Sequence, residues 1–265
     1  MDIMITRNYD KAKEAYKNKD IEAVKEAHNP STHSEPHKQG SGQYIGSAVY
    51  GGLDGIITTF AVVAGVAGAQ LSAGIVLILG FANLFADGIS MAVGDFLSTK
   101  AEQEYNTSEK NRESWEVDVY PEGEKQELVD LYTTKGYSKE DAQTMVDIIA
   151  KNKEGWVDIM MKEELEIIED NSSPLKNSLV TFGSFAVFGF IPLIAYTIAQ
   201  LYQSLQDSTF LIASVMTGAT LFILGALKVR ITNQKWYRAG AEMLLVGGIA
   251  AVAAYVVGVL LKGVA

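Results

Sequence analysis

The stretch GGLDGIITTF, residues 51–60, is an apolar, glycine-rich run with one carboxylate, Asp54, at its centre. It belongs to a longer apolar segment, residues 44–69, and a helix needs only about 20 such residues to cross the hydrocarbon core of a bilayer. The segment therefore predicts a transmembrane helix. A carboxylate near the bilayer centre costs roughly 2.5–3.5 kcal/mol, so we expect Asp54 to face an ion pathway, the alternative being a buried structural hydrogen bond.

Four further apolar segments are long enough to span the membrane: residues 71–96, 178–203, 208–228 and 237–261. Hydrophobic residues make up 48% of the 265-residue chain and are concentrated in these segments. We therefore expect an all-α membrane protein with five transmembrane helices, embedded in a lipid bilayer. The chain has no cysteine, which excludes disulfides and thiolate metal sites.

The positions of Lys and Arg predict the orientation of the chain. Seven lie in residues 1–43, ten in 98–176, four in 228–238, and the last is Lys262. Positive residues favour the cytoplasmic side, so the N-terminus and the central segment should be cytoplasmic and the C-terminus outside. Since nothing in the sequence resembles an organelle address, a prokaryotic plasma membrane is expected.

Charge and composition divide the chain into four parts. Residues 1–43 form a cytoplasmic tail and linker, 44–97 the first two transmembrane helices, 98–176 an acidic helical lobe, and 177–265 the last three transmembrane helices. The lobe holds 20 acidic against ten basic residues, which equals the whole net charge of −10. Such a lobe attracts cations and repels nucleic acid, so no nucleic-acid partner is expected.

The tail contains a predicted helical region, 8–27, with Asp20 as a possible N-cap. All three histidines of the protein, His28, His33 and His37, follow in a linker rich in Pro, Ser and Gly. Their spacing is loose for a metal site, which favours a solvated linker.

The second transmembrane segment carries a polar stripe. Asn83, Asp87, Ser90 and Met91 recur at three- and four-residue spacings and should share one side of the helix. Oxygen ligands together with a thioether favour a transition metal over Ca²⁺ or Mg²⁺. With Asp54, this stripe predicts a path for a divalent metal.

Two other membrane acids have simpler interpretations. Asp95 should lie near the cytoplasmic boundary, where it can be merely solvated. Glu242 is one turn from Arg238, and an ion pair between them is more plausible than a role in transport.

The lobe repeats glutamates at helical spacing, followed by a pair of methionines. Like charges on one helix face are unfavourable unless a cation bridges them, although a solvated face is the commoner explanation of such a pattern. The candidate metal ligands are Glu109, Glu113, Glu116, Glu124, Glu127, Met160, Met161 and Glu164.

These residues together resemble the vacuolar iron transporter family, fungal and plant proteins that load Fe²⁺ or Mn²⁺ into vacuoles, with bacterial and archaeal relatives. The resemblance covers residues 44 to about 262 and not the tail, and this chain resembles a bacterial or archaeal member. The matching motifs, in order, are GGLDGIITTFAVVAG, ANLFADGISMAVGDFLSTKAE, RESWEVDVYPEGEKQEL, MMKEELEI and AGAEMLLVGGIAAVAAY.

The resemblance implies a homodimer of five-helix protomers, with a cytoplasmic metal-binding lobe between transmembrane helices 2 and 3. It implies antiport of Fe²⁺, and also Mn²⁺, against protons, through a path lined by the first two helices. No prosthetic group is implied; the ion, Fe²⁺ or else Mn²⁺ or Zn²⁺, is substrate and lobe ligand. The implied path residues are Asp54, Met91 and the position of Asn83, and the implied lobe ligands are Glu113, Glu116, Glu124, Glu127, Met160, Met161 and Glu164.

The sequence departs from the plant-type pattern at two positions. Plant-type members carry a glutamate at the position of Asn83 and a small residue at that of Asp87, so here the carboxylate has moved one turn along the same stripe. Asp54 can bind metal when ionised and carry a proton when protonated, which would couple the two fluxes.

Two other classes of function compete with transport. The first is a membrane-anchored iron storage or sensor protein, although an anchor has no need of Asp54 and Asp87. The second is an iron-oxidising enzyme, but the lobe has no Glu-x-x-His pair. We therefore expect a transporter and not an enzyme.

Overall fold

The computed structural model describes residues 14–16, 18–27, 44–168, 172–228 and 235–263. The three histidines of the linker lie outside the described residues. The chain divides into two compact units, Met1–Gly46 and Ser47–Ala265. In the first unit, the backbone N–H of Ala23 donates to Asp20 Oδ1 at 3.1 Å, so Asp20 is the N-cap that the sequence predicts for a short helix.

Every regular element among the described residues is helical. In chain order the α-helices are α1 (Ile21–Ala27), α2 (Ile45–Gly68), α3 (Ala73–Val119), α4 (Pro121–Thr134), α5 (Lys139–Ile149), α6 (Lys153–Glu163), α7 (Pro174–Leu201), α8 (Thr209–Lys228) and α9 (Trp236–Leu261). A 3₁₀-helix, Gln203–Ser208, connects α7 to α8.

Five helical segments are long and apolar enough to cross a membrane: α2, α3, α7, residues 204–226 and α9. This result confirms the predicted number of candidate transmembrane helices. Helix α3 is unusual because its 47 residues form one unbroken helix. At about 1.5 Å per residue it is roughly 70 Å long, more than twice the hydrocarbon thickness of a bilayer, so it continues well beyond the membrane.

Glycines bring the backbones of α2 and α7 into contact. A β-carbon on Gly55 would lie 2.9 Å from Phe185 Cα, and one on Gly51 would lie 3.1 Å from Thr181 Cα. These two glycines therefore serve close packing of α2 against α7.

The lobe consists of the end of α3 together with α4, α5 and α6. Tyr120 separates α3 from α4, and Pro121 occupies the first turn of α4. Ser138 caps α5 by accepting from the backbone N–H of Asp141 at 3.1 Å. The buried side chains of these helices form one apolar core: Val117, Leu128, Val129, Tyr132, Ala142, Val146, Trp156, Val157, Met160 and Met161.

The predictions that Asp95 is solvated and that Glu242 pairs with Arg238 need correction. Asp95 is not merely solvated, because the hydroxyl of buried Thr181 on α7 donates to its Oδ2 at 2.6 Å. Glu242 and Arg238 are both exposed, and no ion pair joins these two described residues. Opposite charges one helical turn apart can form an ion pair but need not, because an exposed ion pair stabilises the protein very little.

Replacement of Gly55 by valine should destabilise the protein, because the added carbons cannot fit unless α2 and α7 separate. Overpacking of this kind costs roughly 1–3 kcal/mol. We expect a lower midpoint of thermal unfolding in detergent. Gly183→Ala on α7 is the matched control, since no atom lies within 4 Å of its added carbon. Equal midpoints for the two variants would contradict the assigned packing role.

Candidate metal centre and membrane path

A sharp chain reversal builds the candidate metal centre of the lobe. Glu109, Glu113 and Glu116 lie on successive turns near the end of α3, and Glu124 and Glu127 lie in the first turns of α4. The connection between the two helices is a single residue, so α4 folds back and its glutamates approach those of α3. The N-terminus of a helix also favours negative charge.

Three of these glutamates converge. Glu113, Glu116 and Glu124 each place a carboxylate oxygen within 4.8 Å of the others. Glu113 is only 2% exposed and Glu124 only 6%. The Oε2 atoms of both are buried, and neither has a hydrogen-bond partner in the described part of the chain. Buried carboxylate oxygens are costly unless something compensates them, so this geometry is suited to a cation.

The electrostatics of the cluster follow from burial and crowding. Burial is the main cause that raises the pKa of Glu124 to about 7, and the charges of Glu127, Glu113 and Glu116 act in the same direction. Burial also raises the pKa of Glu113, against the opposing effect of the Arg112 charge. The metal-free cluster therefore holds protons near neutral pH that a bound cation would displace.

The other predicted lobe residues surround this core. The pKa of Glu164 is raised to about 7, chiefly by burial of its carboxyl group and then by the charge of Glu127, with which it shares a hydrogen bond. Met160 and Met161 are buried in the apolar core of the lobe. The same core contains Val117, one turn from Glu113, and Leu128, one turn from Glu124. The structure thus brings the carboxylates together and places the thioethers in the adjoining core.

Arg112 also belongs to this centre and was not predicted from the sequence. Its Nη2 lies 2.9 Å from Glu109 Oε2 and 2.9 Å from Glu113 Oε1, and its Nη1 lies 2.8 Å from Glu116 Oε2. The hydrogen bond with Glu109, reinforced by the neighbouring carboxylates, raises the pKa of Arg112, so it remains charged. Its spacing of three from Glu109 and four from Glu116 was the available signal.

The membrane residues of the predicted path lie on α2 and α3. Asp54, Asn83, Asp87 and Met91 are all partly exposed, and the carboxylates of Asp54 and Asp87 are close enough to repel each other. Among the described residues, no side chain donates a hydrogen bond to the Asp54 carboxylate. The structural hydrogen bond considered as an alternative for Asp54 is therefore absent there.

Asn83 has a feature of its own. Its side-chain nitrogen is buried and lacks an acceptor in the described residues. A buried amide N–H without a hydrogen-bond acceptor is costly. Asn83 therefore has a hydrogen-bond donor beside the predicted path that no described residue accepts.

Comparison with known proteins gives consistent matches. A family model described as "VIT family" matches residues 45–259. A protein of Toxoplasma gondii named "Vacuolar iron transporter" is 43% identical over 97% of this chain and 89% of its own length. A protein of the same name from Plasmodium falciparum is 40% identical over 98% of each chain. "Vacuolar iron transporter 1" of Arabidopsis thaliana is 32% identical over 84% of this chain and 88% of its own.

These matches test two expectations. The family model covers residues 45–259, which confirms the range predicted for the resemblance, while the alignment with the Toxoplasma gondii protein covers 97% of the chain and so extends beyond that range. The relatives named above come from apicomplexan parasites and a plant, and they give no support to a bacterial or archaeal assignment.

The raised pKa of Glu124 gives the metal-free lobe an unusual pH dependence. Between about pH 5 and pH 7 the folded lobe keeps a proton that the unfolded chain, with its lower pKa, has released. The unfolded state binds fewer protons in this window, so the free energy of unfolding should fall as the pH rises. Unfolding with chelator present, followed by the fluorescence of Trp115 and Trp156, should show this trend.

The variant Glu124→Gln serves as the control for this prediction. It removes one of the titrating groups and should reduce the slope in the same window, with a remaining slope from Glu164, whose pKa is also raised to about 7. A metal-free lobe that becomes more stable from about pH 5 to pH 7 would contradict the prediction.

Proposed function

Because this chain belongs to the VIT family, it is a membrane transporter of metal ions and not an enzyme, and we propose that it moves Fe²⁺, and also Mn²⁺, out of the cytoplasm in exchange for protons. The relatives are named as iron transporters, which supports iron as the substrate. The observation that carries the proposal is the pair of buried oxygens of Glu113 and Glu124, which have no hydrogen-bond partner among the described residues and would be compensated by a bound cation.

The lobe is proposed to collect the ion before transport. Glu113, Glu116 and Glu124 would supply carboxylate oxygens, with Glu127 and Glu164 beside them. Met160 and Met161 would add soft thioether ligands, which favour Fe²⁺, Mn²⁺ or Zn²⁺ over Ca²⁺ and Mg²⁺. Protons released from the cluster on binding would make the affinity rise with pH.

The path through the membrane is proposed to run along α2 and α3, past Asp54, Asn83, Asp87 and Met91. The polar side chains of this path are partly exposed in the single chain. A second copy packed against the stripe of α3 would enclose them and remove their contact with lipid, which supports a homodimer with the path between protomers.

Asp54 is proposed as the coupling residue. Its carboxylate can hold either the ion or a proton, and one group that cannot hold both couples two opposing fluxes. Asp87 supplies a second carboxylate near Asp54, so the two side chains can bind one cation together.

The distribution of Lys and Arg supports a cytoplasmic tail and lobe and a C-terminus on the opposite side. The proposal keeps the four predicted parts of the chain: residues 1–43, 44–97, 98–176 and 177–265. A prokaryotic plasma membrane, expected from the sequence, gains no support from the relatives, and vacuolar and plasma membranes both give the same direction out of the cytoplasm. A storage or sensor role without transport would use the same lobe centre, but it gives no function to Asp54 and Asp87 in the membrane helices.

The decisive experiment measures Fe²⁺ flux into proteoliposomes under anaerobic conditions, with a pH dye inside and a proton gradient of either sign. Wild-type protein should move Fe²⁺ with opposing proton flow. Asp54→Asn cannot be protonated or ionised and should abolish or uncouple transport while the protein remains a folded dimer. Coupled flux at the wild-type rate in this variant would overturn the role of Asp54.

Asp207→Asn provides the matched control. It makes the same chemical change in the 3₁₀-helix between α7 and α8, outside the proposed path, and should leave flux and coupling unchanged. Wild-type protein that binds Fe²⁺ but never moves it, in correctly oriented vesicles, would refute the proposal as a whole.

A further inference from the structure

Arg112 occupies the outer side of the lobe centre. Its guanidinium contacts one oxygen each of Glu113 and Glu116, at 2.9 and 2.8 Å, while its side chain stays 44% exposed. The buried side of the centre, formed by the Oε2 atoms of Glu113 and Glu124, has no partner in the described residues. The Arg112 guanidinium thus compensates carboxylate charge on the outer side of the centre, whereas the buried oxygens have no compensating group among the described residues.

The contacts of Arg112 overlap with the converging set of glutamates. Glu113 and Glu116 are two of the three residues whose oxygens lie within 4.8 Å of one another. An ion that takes both as ligands must share or displace the guanidinium, because a divalent cation and Arg112 repel each other at such short range. Binding therefore requires Arg112 to change partners.

Glu109 supplies the alternative partner. It receives two N–H groups of Arg112, from Nε at 3.2 Å and from Nη2 at 2.9 Å, and it does not belong to the converging set. The guanidinium fork directs both donors to one oxygen, Glu109 Oε2, and such charge-assisted contacts are strong. Nη2 is shared with Glu113 Oε1, whereas Nε contacts Glu109. Arg112 can therefore leave Glu113 and Glu116 while its Nε keeps the contact with Glu109.

We propose that Arg112 is a built-in competitor of the metal ion for Glu113 and Glu116, and that Glu109 holds the displaced guanidinium instead of ligating metal. This inference rests on the proposed metal binding by the lobe and goes beyond it, because it assigns opposite effects to two neighbouring residues. Competition lowers the affinity of the lobe, which favours passing the ion onward over storing it.

The first test titrates purified full-length protein with Fe²⁺ under anaerobic conditions and measures binding by calorimetry. Arg112→Gln removes the competitor and should tighten binding roughly three- to tenfold, as expected for loss of one partly exposed charge contact. Lys153→Gln is the matched control: it removes the same charge from the lobe, where Lys153 contacts Asp118 at 2.6 Å, and should change the affinity less than about twofold.

The second test is a double-mutant cycle with Glu109→Gln. In the wild-type background this change removes the alternative partner of Arg112, so Fe²⁺ binding should weaken by roughly threefold. In the Arg112→Gln background it should have no effect, because no guanidinium remains to be held. If Glu109 were a direct ligand, the variant would weaken binding in both backgrounds, which would overturn the proposal.

Arg112→Lys keeps the inference testable if Arg112→Gln does not fold. Lysine keeps the charge but lacks the fork, so it should bind Fe²⁺ more tightly than wild type and less tightly than Arg112→Gln would. Weaker binding in either Arg112 variant would show that Arg112 orients the ligands and would overturn the competitor role. Failure of wild-type protein to bind Fe²⁺ would instead refute the proposed function itself.

Discussion

One continuous helix, α3, is the constraint on which the rest of this protein depends. Its 47 residues carry the polar stripe of Asn83, Asp87 and Met91 within the membrane and the glutamates of the lobe beyond it. Unbroken backbone hydrogen bonds make such a helix stiff, so the metal centre and the membrane stripe are held on one rod at a set separation. The other transmembrane helices and the lobe helices pack around it.

Two kinds of packing keep this helix in place. In the membrane, α7 contacts α3 through the hydrogen bond from Thr181 to Asp95, and its Gly189 lies against Leu84 of α3. In the lobe, Val117 of α3 enters the same apolar core as Leu128 and Met160. Packing in the lobe is driven by the removal of apolar surface from water. Packing in the membrane relies on close backbone approach and polar contacts, as expected inside a bilayer.

Much of this organisation could be predicted from the sequence, but the details of the charged centre could not. The family resemblance implied that Glu113, Glu116 and Glu124 share a centre, whereas their spacing alone did not, because periodicity places residues on a face of a helix and does not reveal which carboxylates become buried. Arg112 was missed for the same reason: its contacts with Glu109 and Glu116 depend on which way a long, flexible side chain turns. The expected Arg238–Glu242 pair failed because proximity along a helix permits an ion pair without making it favourable.

The sequence by itself determined the class of the protein. Apolar length sets the number of transmembrane helices, because a bilayer demands about 20 apolar residues for each, and the ordered motifs indicated the family. Only the tertiary structure decided which groups meet. The reversal at Tyr120 and Pro121 brings α4 against α3. Burial then leaves one oxygen each of Glu113 and Glu124 without a partner in the part of the chain that the structure describes, while Arg112 contacts Glu113 and Glu116. Burial and long-range contact arise from packing, which no local pattern records.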